Sequence, residues 1–81
     1  MLEYHAAFYM PKKPGEMVVV DVLDFPGVLS QGCDLADARR MIASALEEMA
    51  ETFLEEGKPL PSPNPALEDP EADLAELVPL Q

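Results

Sequence analysis

The sequence predicts an α+β domain, in which an antiparallel sheet of three or four strands carries one long helix on one face, in the order β-β-β-α-β. Three short segments with strand-like patterns, separated by turn residues, come first, and a single helical stripe of apolar residues follows them. The 81 residues suffice for one small domain, which buries about 60% of the surface that its unfolded chain exposes.

The first two strands should form a hairpin. Residues 2–9, LEYHAAFY, alternate as a strand with two different faces does. Residues 17–23, MVVVDVL, are rich in valine, which favours a pleated and packed surface. Two prolines and a glycine lie between these segments and predict the connecting turn.

The segment FPGV predicts a type II turn before the third strand. Pro26 presets φ at the first central position, and Gly27 supplies the positive φ that the second one needs. The chain therefore reverses, and residues 28–32 should form a short strand.

A long amphipathic helix should begin at Leu35. Asp34 is its predicted N-cap, and Asp37 adds negative charge in the first turn. Gly57 is the predicted stop. The apolar residues that recur at helical spacing are Leu35, Ala38, Ile42, Ala45, Leu46, Met49 and Phe53.

The segment after the helix is rich in proline and in acids. Residues 59–73 contain five prolines and predict an extended connector. Residues 74–80 suit either a helical turn or a strand, and we favour a short edge strand with Glu76 exposed between apolar neighbours. We divide the chain into a domain at 1–63 and a segment at 64–81, whose acidic part is expected to be solvated and partly disordered.

Charge and composition limit the partners and the compartment. Sixteen acidic and five basic residues give a net charge of −11, which disfavours nucleic acid and favours a basic protein partner. No apolar run approaches the roughly 20 residues of a membrane span, and the first residues do not resemble a signal peptide. We expect a cytoplasmic protein.

Few residues offer catalytic or metal chemistry, and we expect no enzyme activity and no cofactor. His5 lacks a neighbouring cysteine or second histidine and suits a strand surface. Cys33 precedes a helix N-terminus, which can lower a thiol pKa, although a small half-buried residue is the better interpretation. Asp21 and Asp24 could combine with a helix glutamate, Glu47 or Glu48, as a Mg²⁺ site of a nuclease, but no inward cluster of acids is evident.

The order of these motifs resembles the HicB antitoxin family. The similarity covers about residues 1–63 and rests on acidic-aromatic-Pro-Gly, Gln-Gly, an N-cap, a long helix and a Gly-x-Pro-x-Pro exit. The matching positions, to which the resemblance gives structural roles, are Pro26, Gly27, Gln31, Gly32, Asp34 and Gly57.

The resemblance implies a partially degenerate ribonuclease H-like fold without catalysis. It also implies that the chain binds and neutralises HicA, a small basic ribonuclease toxin, and we expect Asp21, Asp24 and Phe25 to contact this partner. Many members of the family append an operator-binding module, whereas this sequence continues after Pro63 with an acidic segment. Cys33 also departs from the polar residue usual at its position.

One helix can cover only one face of the sheet, so apolar surface should remain open on the other. We therefore expect a homodimer with Tyr9, Val18 and Val20 at the contact. Two alternatives to an antitoxin are a metal-dependent ribonuclease H-like nuclease and an oligomeric binding module that has no toxin.

Overall fold

The computed structural model describes residues 2–80 and confirms the predicted α+β class. Its element order is β1 (Leu2–Tyr9), β2 (Val18–Val22), β3 (Leu29–Gly32), α1 (Leu35–Glu55) and β4 (Leu74–Leu80). The four strands form one antiparallel sheet in the order β3-β2-β1-β4, and α1 packs on one face. Within residues 2–80, no helix has the length and apolar character needed to cross a bilayer.

The core lies between the sheet and α1. The helix buries Ala38, Ile42, Leu46 and Ala50, the last of which the predicted stripe omitted. The sheet side of the core consists of Tyr4, Ala6, Phe8, Val18, Val20, Val22 and Val78. Val18 and Val20 are 1% and 0% exposed, so their expected place at a dimer contact is wrong: both are covered by the helix of their own chain.

The turn at residues 25–28 is confirmed, and it also contributes to the core. Gly27 has φ +91°, and the Val28 N–H donates to the Phe25 carbonyl at 3.2 Å. Phe25 is fully buried, with its ring centroid 5.2 Å from that of Tyr4 and 5.1 Å from that of Phe53. The turn therefore anchors the strand junction to the helix.

Both ends of α1 are capped as predicted. The Asp34 carboxylate accepts a hydrogen bond from the Asp37 N–H at 2.8 Å. At the other end Gly57 has φ +71°, its N–H donates to the Leu54 carbonyl, and the Lys58 N–H donates to the Phe53 carbonyl at 2.8 Å. These two bonds form a Schellman motif, which satisfies carbonyls that the helix end leaves free.

The C-terminal strand β4 is an edge strand, as favoured from the sequence, and it pairs with β1 from Leu2↔Leu80 to Phe8↔Leu74. Its register turns Glu76 toward the helix side, where Arg39 binds the carboxylate through two hydrogen bonds of 2.9 and 2.5 Å. The expectation of an exposed Glu76 is therefore wrong, because the pleat turns its neighbours Ala75 and Leu77 outward instead.

Gly32 marks the closest approach of β3 to the helix. A Cβ at this buried position would lie 2.3 Å from the Ala38 backbone nitrogen and 2.7 Å from the Ala38 Cα. Backbone of the first helical turn cannot move aside as a flexible side chain can. Gly32 is thus required by packing and not by a positive φ.

We expect Gly32→Ala to lower the free energy of unfolding by about 1–3 kcal/mol or more, because the added methyl overpacks the contact between β3 and α1. Urea denaturation checks this. The matched control is Ser30→Ala, a half-buried position two residues earlier in β3, which should change stability by less than about 0.5 kcal/mol. Equal effects of the two variants would contradict the packing role of Gly32.

Candidate partner-binding surface

The face of the sheet opposite the helix, here called the open face, keeps apolar residues in contact with solvent. The strand register places Tyr9 beside Val19 on this face and Ala7 between Asp21 and Ala75. Val19 is 40% exposed and Leu29 63% exposed. The expectation that apolar surface remains uncovered is confirmed, and the valine that contributes to it is Val19.

Residues 60–73, here called the strap, begin on the helix side, where Leu60 packs against the core, and continue along β1 on the open face. The Tyr4 hydroxyl donates to the Pro61 carbonyl at 2.6 Å near the start of the strap. Near its end the Tyr9 hydroxyl donates to Asp69, and the Asp73 N–H donates to the Phe8 carbonyl at 2.8 Å. The acidic side chains Glu68, Glu71 and Asp73 are exposed, as expected for a solvated segment, but the contacts with β1 give the strap a defined path, which differs from the expected partial disorder.

The carboxylate of Asp24 joins the strap to the sheet. Its Oδ1 accepts the His5 backbone N–H at 2.7 Å, and its Oδ2 accepts the Asn64 backbone N–H at 2.9 Å and lies 2.6 Å from His5 Nδ1. Burial by itself would raise the pKa of Asp24, but the hydrogen bonds from His5 and Asn64 outweigh it and lower the pKa below its ordinary value of 3.8. His5 lies on a strand surface as expected, and its ring is hydrogen-bonded to the Asp24 carboxylate.

Two of the three residues expected to contact a partner are in the interior. Asp24 is 4% exposed and Phe25 is 0% exposed. Their side chains are used within the chain, which leaves no surface for a partner at either position, and this corrects the expectation. Asp21 is half-buried on the open face, so it alone of the three offers a carboxylate to solvent.

A cleft of about 430 Å³ lies between the strap, β1 and β4. Its apolar lining includes Ala7 and Leu23 from the sheet side, Leu67 from the strap, and Ala75 and Leu77 from β4. Leu67 and Leu77 are 42% and 53% exposed. The acidic residues Glu68, Asp69 and Asp73 also line the cleft. No pattern in the sequence indicates this cleft, because the strap that forms it has the composition of a solvated segment.

The electrostatic character of this region is negative. The hydrogen bond to Asp69, burial and the neighbouring Asp21 and Glu71 together raise the pKa of Tyr9 to about 12. The Tyr9 hydroxyl in turn lowers the pKa of Asp69. Tyr9 therefore stays a hydrogen-bond donor at neutral pH, and no lysine or arginine is among the residues that line the cleft.

The magnesium site considered for a nuclease is not formed. Asp21 faces the open side of the sheet, whereas Glu47 and Glu48 belong to the helix on the other side. Across residues 2–80, no three His, Cys, Asp or Glu side chains are grouped so as to hold a metal ion.

Cys33 is exposed, so the half-buried position expected for it is wrong. Its Sγ lies 3.3 Å from Asp37 Oδ2. This hydrogen bond and the charge of Asp37 raise the pKa of the thiol, which opposes the lowering considered for a helix N-terminus. The raised pKa disfavours the thiolate, which is the reactive form of a cysteine.

We expect Asp24→Asn to lower the free energy of unfolding by about 2–4 kcal/mol at pH 7, because an amide NH₂ must then face a backbone N–H in a buried site. Asp21→Asn is the matched control and should cost less than about 0.5 kcal/mol. Urea denaturation of both variants checks the difference.

The cost of Asp24→Asn should also depend on pH. Because the folded-state pKa of Asp24 is lowered, its stabilisation is present above about pH 4 and is lost as the pH falls through the folded-state value. The stability gap between the wild type and Asp24→Asn should therefore narrow below pH 3.8. A gap that stays constant down to pH 2 would contradict an ionised Asp24 in the folded chain.

Comparison with known proteins finds structural likeness and no sequence match. No protein-family model matches the chain, and no curated protein matches it. The N-terminal domain of the Burkholderia pseudomallei antitoxin HicB is similar over 99% of both chains, with 24% identity and a TM-score of 0.78.

Two further structures agree with this likeness. The Burkholderia pseudomallei antitoxin HicB is similar over 99% of this chain and 64% of its own length, with 28% identity and a TM-score of 0.79. A chain of the HicA3 and HicB3 toxin-antitoxin complex matches over 99% of both chains, with 23% identity and a TM-score of 0.70. In fold the chain is therefore similar to the HicB antitoxin domain over 99% of its length, which confirms the predicted resemblance and extends it beyond residue 63.

Proposed function

We propose that this chain is an antitoxin-like protein that binds and neutralises a small basic HicA-type ribonuclease toxin in the cytoplasm, without catalysis of its own. The observation that carries the proposal is the likeness in fold to HicB over 99% of the chain, including a chain from a complex of toxin and antitoxin. The net charge of −11 supports a basic partner.

The use of the titratable groups supports a binding role over a catalytic one. Asp24 joins His5 of β1 to Asn64 of the strap, Glu76 of β4 binds Arg39 of α1 in a partly exposed pair, and Asp37 is hydrogen-bonded at the helix start. Each of these groups is already used by a structural partner. Among residues 2–80, these contacts form no arrangement of acid, base and nucleophile.

Binding to a small basic HicA-type toxin tests the proposal. We expect a complex by titration calorimetry at low salt, and an association rate that falls about tenfold or more between low and physiological salt, because opposite charges steer the encounter. Stopped-flow mixing measures the rate. Absence of binding at low salt would refute the antitoxin proposal and would favour the alternative of an oligomeric binding module that has no toxin.

We also propose a homodimer that forms through the open face. Because Val18 and Val20 are buried, the contact we propose consists of Tyr9, Val19 and Leu29. Leu29 is the most exposed of the three and lies on the edge strand β3. Sedimentation equilibrium at micromolar concentration should give a dimer mass for the wild type and a monomer mass for Leu29→Glu. A monomeric wild type would refute the dimer.

A further inference from the structure

The cleft beside the strap combines an apolar interior with an acidic margin. Its volume of about 430 Å³ lies within the range of ligand pockets, roughly 300–1,000 Å³. Leu67 and Leu77 expose apolar surface at the cleft, and Ala75, two residues before Leu77 in β4, contributes only a methyl group. The described chain therefore leaves room at this place for side chains from another molecule.

The charge of the cleft limits what can enter it. The carboxylates of Glu68, Asp69 and Asp73 line it, and no lysine or arginine is among its lining residues. Asp69 accepts hydrogen bonds from Tyr9 and from the Glu71 N–H, and Asp73 accepts one from the Met10 N–H.

A second copy of this chain would bring a further net charge of −11 toward these carboxylates, so like charges oppose its entry into the cleft. The dimer contact proposed above uses Val19 and Leu29 on β2 and β3, away from the β4 edge where the cleft lies. A positively charged segment, by contrast, is attracted by the carboxylates that line the cleft.

Lysine and arginine match both parts of the cleft. Their long aliphatic stems pack on apolar surface while the charged head stays near solvent or a counter-ion. Here the stem would contact Leu67, Ala75 and Leu77, and the head would reach the carboxylates of Glu68 and Asp73. An acidic or purely apolar segment would satisfy only one of the two parts.

We propose that the cleft between the strap and β4 receives a lysine- or arginine-bearing segment of the basic toxin. The inference rests on the proposed antitoxin function and names the part of the surface that carries it. It assigns recognition to the strap and the C-terminal strand, residues 65–77, and to neither the outer face of α1 nor the turn at residues 25–28.

Filling the cleft tests the proposal. Ala75 is exposed on an edge strand, where an aromatic residue suits the strand, so Ala75→Trp should fold with an unchanged melting temperature and occupy the space. We expect its Kd for the toxin to rise at least about tenfold, which is 1.4 kcal/mol. The matched control is Ala36→Trp on the exposed start of α1, whose Kd should stay within about threefold of the wild type.

Two charge-reversal variants distinguish the contribution of the cleft to toxin binding from the contribution of the overall negative charge. Glu68→Lys and Glu55→Lys change the net charge by the same amount, but only Glu68 lines the cleft, while Glu55 is exposed at the end of α1. Glu68→Lys should weaken toxin binding about tenfold, and Glu55→Lys should change it less than threefold.

The outcomes distinguish this proposal from the antitoxin function itself. If the wild type binds the toxin and Ala75→Trp binds equally well, the cleft is not the docking site and the antitoxin function stands. If Glu68→Lys and Glu55→Lys weaken toxin binding equally, the proposal that the cleft is the docking site is also wrong. If the wild type does not bind at low salt, the proposed function fails and the cleft proposal fails with it.

Discussion

The buried carboxylate of Asp24 is the interaction on which the arrangement of the open face depends. It joins β1 through the backbone and ring of His5 and the strap through the backbone N–H of Asn64. Hydrogen bonds to a charged group contribute about 1.5–3 kcal/mol each, whereas an exposed pair such as Arg40 and Asp37 contributes little because water and salt screen it. Asp24 is buried, whereas the other charged contacts of the strap are partly exposed, so its hydrogen bonds are the least screened of those that hold the strap.

The two faces of the sheet are covered by different physical means. On the helix side, apolar side chains pack closely, and Gly32 allows β3 to approach the backbone of α1. On the open side the strap contains several prolines, which lack a backbone N–H. Side-chain acceptors take the place of a backbone ladder there, as Asp24 and Asp69 show. The same acidic composition that attaches the strap also makes the cleft beside it negative, which links the fold to the proposed recognition of a basic partner.

Local signals were sufficient to predict the elements of the fold. The N-cap, the glycine stop, the turn around Pro26 and the edge strand all depend on residues close together in the chain. The assignment of Val18, Val19 and Val20 to faces did not follow, because consecutive valines show no alternation and the hairpin register alone decides which side each one faces.

The open face depended on contacts between distant residues and could not be predicted. An aspartate beside a turn, such as Asp24, is normally expected to be exposed to solvent. Here its carboxylate contacts Asn64, which lies 40 positions later in the chain, and a local pattern cannot predict that contact. The acidic strap likewise has the composition of a disordered segment, and its order comes from β1. Of the residues expected to contact a partner, Asp21 is the one that the structure leaves partly exposed. The cleft residues Leu67 and Ala75 belong to no sequence pattern that would have predicted a binding site.

The central claim, that Asp24 fixes the strap on the open face, is tested most directly by amide hydrogen exchange of the free chain followed by NMR. The Asn64 N–H points at the Asp24 carboxylate and lies in no regular element. It should exchange at least about 100-fold more slowly than in an unstructured peptide, together with the His5 N–H that shares the same carboxylate. An Asn64 amide that exchanges at the free-peptide rate, while the amides that pair β1 with β4 stay protected, would contradict the claim.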